Sequence, residues 1–132
     1  MKKMTKRCAV VLIALAAVLV VGCKSNDPIS GTWNGTLILE NTSQVTDTSS
    51  LTFTVTNTLG VVTGTVTAAG FGWQNVPITV GTYVASDKAF GLTADVGGSD
   101  GDLVLAGTLS GTTLSGGAST TGLRAGTWSA TK

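Results

Sequence analysis

From residue 31 onward, apolar and polar side chains alternate with a period of two along most of the chain. In GTWNGTLILE, Trp33, Gly35, Leu37 and Leu39 fall on one face, with Thr32, Asn34, Thr36, Ile38 and Glu40 on the other. LTFTVT sets Leu51, Phe53 and Val55 against Thr52, Thr54 and Thr56, and VVTGTVT continues with Val62, Gly64 and Val66. VPITVGTYV, AFGLTADV, DLVLAGTL, TTLSGGA and AGTWSAT extend the pattern, with Phe90, Leu92, Ala94 and Val96, then Leu103, Leu105, Gly107 and Leu109, on the apolar side. Successive side chains of a strand point to opposite faces, and β-branched residues suit the pleated backbone, so these runs predict antiparallel strands with one wet face. Asn, Gly and Ser in NTLG (57–60) and LSGTT (109–113), and Asp-Gly in GGSDGD, supply the turns between them. Gly and β-branched residues interrupt every window long enough for an amphipathic helix.

About eight short strands joined by tight turns predict an all-β, up-and-down antiparallel meander. Such a sheet removes its exposed edges most completely by closing into a barrel, and a two-sheet β-sandwich is the alternative. In a closed meander the first strand pairs with the last. The tripeptide Gly-Thr-Trp stands in both places, at 31–33 and 126–128. Trp33 and Trp128 then share the inner face with Gly35 and Gly126, and two indoles are expected to meet inside one end of the barrel, the glycines making room. Arg124 has the same parity as Gly126 and Trp128. The G-x-W pattern resembles that of lipocalin-like barrels, in which an arginine near the closing strand packs over the tryptophan. The resemblance implies that Arg124 is a cation–π partner of Trp33, the alternative being that it lies too far along the strand, or in the turn. FGW (71–73) sits in a Gly-rich stretch that does not alternate, where Phe71 and Trp73 either cap the core or form a lid touching a ligand or lipid.

The first 23 residues are of another kind. Lys2, Lys3, Lys6 and Arg7 precede an unbroken apolar run of 13 residues (9–21), followed by Gly22 and Cys23. A helix crossing a ~30 Å hydrocarbon core needs about 20 residues, so this pattern predicts an export signal and no lasting anchor. LVVGC (19–23) resembles the lipobox of bacterial lipoproteins. The resemblance implies cleavage after Gly22 and acylation of Cys23. The expected organisation is a signal peptide at 1–22, an acylated cysteine with a short linker at 23–28, and a barrel at 29–132. Two or three acyl chains would hold the product on membrane lipid, since one chain alone anchors only marginally. The absence of an aspartate at Lys24 favours the outer membrane of a cell envelope.

Composition narrows the chemistry. Cys8 falls in the expected leader and Cys23 in the lipobox, and there is no histidine. Cys/His zinc sites, Ser–His–Asp triads and Cys–His pairs are thereby excluded. The whole chain carries a net charge of +1, but residues 23–132 hold four cations (Lys24, Lys88, Arg124, Lys132) against seven carboxylates, a net of −3. Such a domain cannot neutralise a run of phosphates, and no nucleic-acid partner is expected. Asp95, Asp100 and Asp102 crowd one predicted hairpin. They form either a solvated turn or a weak calcium candidate, in a spacing that fits neither an EF-hand nor a nonapeptide calcium repeat. No cofactor and no enzymatic activity are expected.

The G-x-W that opens the first predicted strand is similar to the signature of calycin-like barrels, the lipocalins and avidins. Val66 replaces the tyrosine that would touch biotin, and biotin binding is not implied. Residues 29–132 also resemble small bacterial lipoproteins of unassigned function with G-T-W-x-G-x-L and V-T-G-T-V segments. The expected function is a membrane-anchored, non-catalytic structural or interaction barrel, its partner an envelope protein. The alternative is a carrier holding a small apolar ligand inside the barrel.

Overall fold

The computed structural model describes residues 27–41 and 45–132, and its strands follow the alternating runs. They are β1 (Gly31–Glu40), β2 (Thr46–Thr58), β3 (Val61–Ala68), β4 (Trp73–Val84), β5 (Ala89–Gly97), β6 (Gly101–Ser110), β7 (Thr113–Thr120) and β8 (Ala125–Thr131), and the 3₁₀ turn Ala69–Phe71 joins β3 to β4. Each strand pairs with the next, and β8 returns to β1, giving a closed eight-stranded barrel and not a sandwich. All the pairings are antiparallel. Closure gives every strand a paired neighbour on both sides, which suits a domain whose outer face carries little charge to repel other sheets.

Hairpin chemistry sets the registers. Leu59 and Gly60 connect β2 to β3 with φ of 53° and 90°, the positive-φ pair that matches strand twist. Asn57 Oδ1 accepts the Gly60 amide at 3.0 Å and steadies that turn. β4 departs from simple alternation. Its register slips against β3 and again against β5 between Ile78 and Val80, and Asn75 adopts φ 50°. Val76 and Ile78 therefore pack against the core from even positions, while buried Gly81 and Tyr83 do so from odd ones. An extra residue at a bulge moves every later side chain to the other face, which period counting alone cannot detect.

Side chains fill the interior. Phe53 is the hub: its ring lies 6.1 Å from Trp33, 5.7 Å from Phe90 and 5.8 Å from Trp128, and Phe90 is 6.0 Å from Trp128. Leu37, Leu39, Leu51, Leu103, Leu105 and Leu114 pack around these rings, each essentially without solvent exposure.

Trp33 and Trp128 are both buried on the strands that close the barrel, yet they do not plug one end together. The β1–β8 register sets Leu37 opposite Trp128, four residues from Trp33, and Phe53 fills the space between the indoles. The two glycines make room for backbone and not for the rings. A Cβ on Gly35 would stand 1.8 Å from the Ser129 carbonyl oxygen, and one on Gly126 would stand 1.8 Å from that of Ile38. They permit the close approach of strands at the seam.

Candidate functional sites at the two barrel ends

One end is built around Asp27. Its carboxylate accepts the Ile29 amide at 2.8 Å, the Ser30 hydroxyl, and Asn57 Nδ2 at 3.2 Å. Ser30 Oγ in turn accepts the Asn57 amide at 2.8 Å. Burial works to raise the Asp27 pKa, but the hydrogen bonds from Ser30, Ile29 and Asn57 outweigh it and hold the carboxyl below its ordinary value. Ile29 is fully buried, and its carbonyl accepts Trp33 Nε1 at 2.7 Å. Asp27 and Ile29 thus cap the barrel, so the expected linker contains a residue bonded into the domain. Lys132 closes over the same end: Nζ lies 5.4 Å from the Trp33 ring and donates to the carbonyls of Pro28 and Ser30 at 3.0 and 2.9 Å. Beside this cap is an open cleft of about 530 Å³, lined by Asp27, Pro28, Asn57, Leu59, Gly60, Tyr83 and Ala85.

The cation expected over Trp33 is therefore Lys132 and not Arg124. Glu40 pairs with Ala125, which sets Arg124 level with residue 41, about 27 Å from Trp33 at ~3.4 Å per strand residue. Arg124 organises the opposite end. Its guanidinium carbon lies 4.8 Å from the Phe71 ring centroid, Nη2 is 2.7 Å from Asp47 and Nη1 3.7 Å from Asp100. Arg124 Nε is buried without a hydrogen-bond partner among the described residues. Phe71 stacks on Trp73 at 4.9 Å, with Trp73 buried and Phe71 half-buried. The 3₁₀ turn holding Phe71 is pinned by Ser49, whose Oγ accepts the Gly70 amide at 2.8 Å and donates to the Ser50 carbonyl at 2.8 Å. Arg124 against Phe71 and Ser49 against Gly70 hold this aromatic pair at the end of the barrel.

The acidic hairpin does not converge. Asp95 and Asp102 are cross-strand partners on the exposed face, Asp95 accepts the Gly97 amide at 3.0 Å, and Asp100 turns toward Arg124. Among the described residues no group of three or more acidic, Cys or His side chains could hold a metal ion. Ser49 spends its hydroxyl on the backbone of Gly70 and Ser50.

Sequence reasoning named Phe71, Trp73, Arg124, Trp33 and Trp128, but missed Asp27, Ser49, Asp47 and Lys132. The run Asp27-Pro28, a turn-initiating pair, was the one local signal for the Asp27 cap. The expected cleavage and acylation site at Gly22 and Cys23 lies outside the described residues. In comparison with known proteins, no family model, curated protein or solved structure matches the chain.

Proposed function

We propose that this protein is a lipid-anchored envelope lipoprotein whose barrel is a non-catalytic structural or interaction module. The lipobox-like LVVGC at 19–23 supports acylation of Cys23 and attachment to membrane lipid, with the outer membrane favoured by Lys24. The observation that carries the module reading is the occupied interior. Trp33, Phe53, Phe90 and Trp128 stand ring to ring across it, and both ends are capped. A carrier of apolar ligands needs a pocket of roughly 300 Å³ or more enclosed by its walls, and the cleft beside Asp27 is open at the end of the barrel. The resemblance to calycin-like barrels supports the architecture and lends no ligand.

The test is native mass spectrometry of the protein purified from its own envelope. Acyl mass on Cys23 and a stoichiometric protein partner are expected, and Cys23→Ser should release the protein from the membrane fraction. A small apolar molecule retained in stoichiometric amount would instead establish the carrier reading.

A further inference from the structure

The Asp27 end carries an apolar rim that the barrel does not use. Leu59, at the tip of the β2–β3 hairpin, is 100 % exposed. Its φ of 53° lies in the left-handed region, where Asn or Gly is the ordinary choice. A leucine there gains neither burial nor backbone ease within this chain. Val61 and Val84 stand beside it at 58 % and 47 % exposure. Val61 is paired with Thr82, and the Tyr83 amide donates to the Gly60 carbonyl at 2.9 Å, so the three side chains surround one junction of two hairpins. The 530 Å³ cleft between this junction and the Asp27–Pro28 segment continues the apolar surface inward.

We infer that Leu59, Val61 and Val84 form a membrane-contact face that enters the interfacial layer of the bilayer. The inference rests on acylation of Cys23 and adds how the barrel stands on the membrane. Chain length selects the occupant. Asp27 follows Cys23 by four residues, and at ~3.6 Å each its backbone reaches no more than ~14 Å from the lipid-bearing residue. Asp27 is bonded to Asn57, two residues from Leu59, so the rim is held beside the attachment point. The headgroup layer is ~5–8 Å deep on each side of the hydrocarbon, within reach of a rim so tethered. Leu123, 76 % exposed, occupies the opposite end, about 25 Å away along strands that rise ~3.3 Å per residue.

Removal of the leader takes Cys8 with it, and acylation consumes Cys23, so a cysteine placed at either end is a unique thiol. The full-length chain carrying Leu59→Cys or Leu123→Cys is expressed, acylated, labelled with an environment-sensitive fluorophore and reconstituted in phosphatidylcholine vesicles. The label at 59 should shift to the blue and lose at least half its emission to spin-labelled lipid, while the label at 123 stays unchanged. Equal responses at the two positions overturn the inference. Because the fluorophore is itself apolar, unlabelled Leu59→Asp/Val61→Asp protein gives a second measurement. It should keep its thermal midpoint and transfer between vesicles several-fold faster, and an unchanged transfer rate counts against the face. Intact mass of the same samples separates the two failures. Unmodified Cys23 removes the lipoprotein reading and the inference together, whereas acylated protein with a water-exposed label at 59 removes the inference alone. A label shielded in native envelopes but exposed in pure lipid would mean that a protein covers the rim, and overturns it as well.

Discussion

At Trp33 one indole is fixed from several directions: Phe53 stacks on it, Ile29 accepts its N–H, and Lys132 lies over its face. Trp33→Ala would open a large void and leave the buried Ile29 carbonyl without its partner, a loss of about 4 kcal/mol. Against a total of 5–15 kcal/mol for a typical domain, that makes the barrel marginal, and chemical denaturation should show it as a large drop in midpoint. Trp128→Ala has the same core cost without the cap. Its Nε1 reaches the Ala106 carbonyl at 3.3 Å, deeper in the barrel. Asp27 gives a residue-scale prediction in pH. Its folded pKa lies below that of a free aspartate, so its contribution is fully present above the unfolded value and is lost as pH falls through the folded one. Stability measured from pH 6 to pH 2 should therefore fall below about pH 4. Asp27→Asn should be less stable at pH 6 and should flatten that part of the profile; an unaltered profile would remove the cap from the account. The rings and their inward parity were legible in the sequence. Which ring touches which was not, because contact depends on register.

Between elements, the seam of β1 and β8 depends on two glycines whose missing Cβ atoms let one strand press on the other's backbone. Gly126→Ala would drive a methyl group into the Ile38 carbonyl, and the displaced backbone should cost ~3 kcal/mol. Alanine at Gly72, where a Cβ meets nothing within 4 Å but φ is 80°, should cost less, through backbone conformation alone, about 1 kcal/mol. Comparing the two by thermal melting separates close approach from backbone strain. The outer face shows what pairing adds to pattern. Ser110, Thr113, Thr131, Asn34, Thr52 and Thr67 are successive cross-strand partners from β6 around to β3. Thr52 donates to Asn34 at 3.1 Å, and Thr32 and Thr54 share a hydrogen bond at 3.1 Å. Such pairs each contribute roughly 0.2–1 kcal/mol and favour the observed register over a slip. The wet positions were legible from alternation, but their alignment into a row required knowing which turn holds how many residues. β4 was least legible, since its three register shifts leave the composition of a strand unaltered.

Across the whole molecule, closure has a testable consequence, because a ring of strands has no obligatory first member. Lys132 Nζ touches the Pro28 carbonyl, so a short Gly-Ser linker can join the end of the chain to Asp27. Reopening the circle at Gly111–Thr112, an exposed turn, should give a permuted domain with the same β-rich circular dichroism and a cooperative melt. Failure to fold would mean that the Asp27 cap needs a free chain end. The same closure explains why the two ends differ. One is capped by Asp27, Ile29 and Lys132, the other by Phe71, Trp73 and Arg124, and each set is gathered from distant parts of the chain. The sequence by itself determined the strands, their inward faces outside β4 and the meander order, because alternation and turn residues are local properties. Only the tertiary structure decided that Phe53 stands between the indoles, that Lys132 and not Arg124 covers Trp33, and that Leu59 shares an end with Asp27. Those relations follow from the stagger of eight strands around a closed ring, and each bulge or turn shifts every pairing that comes after it.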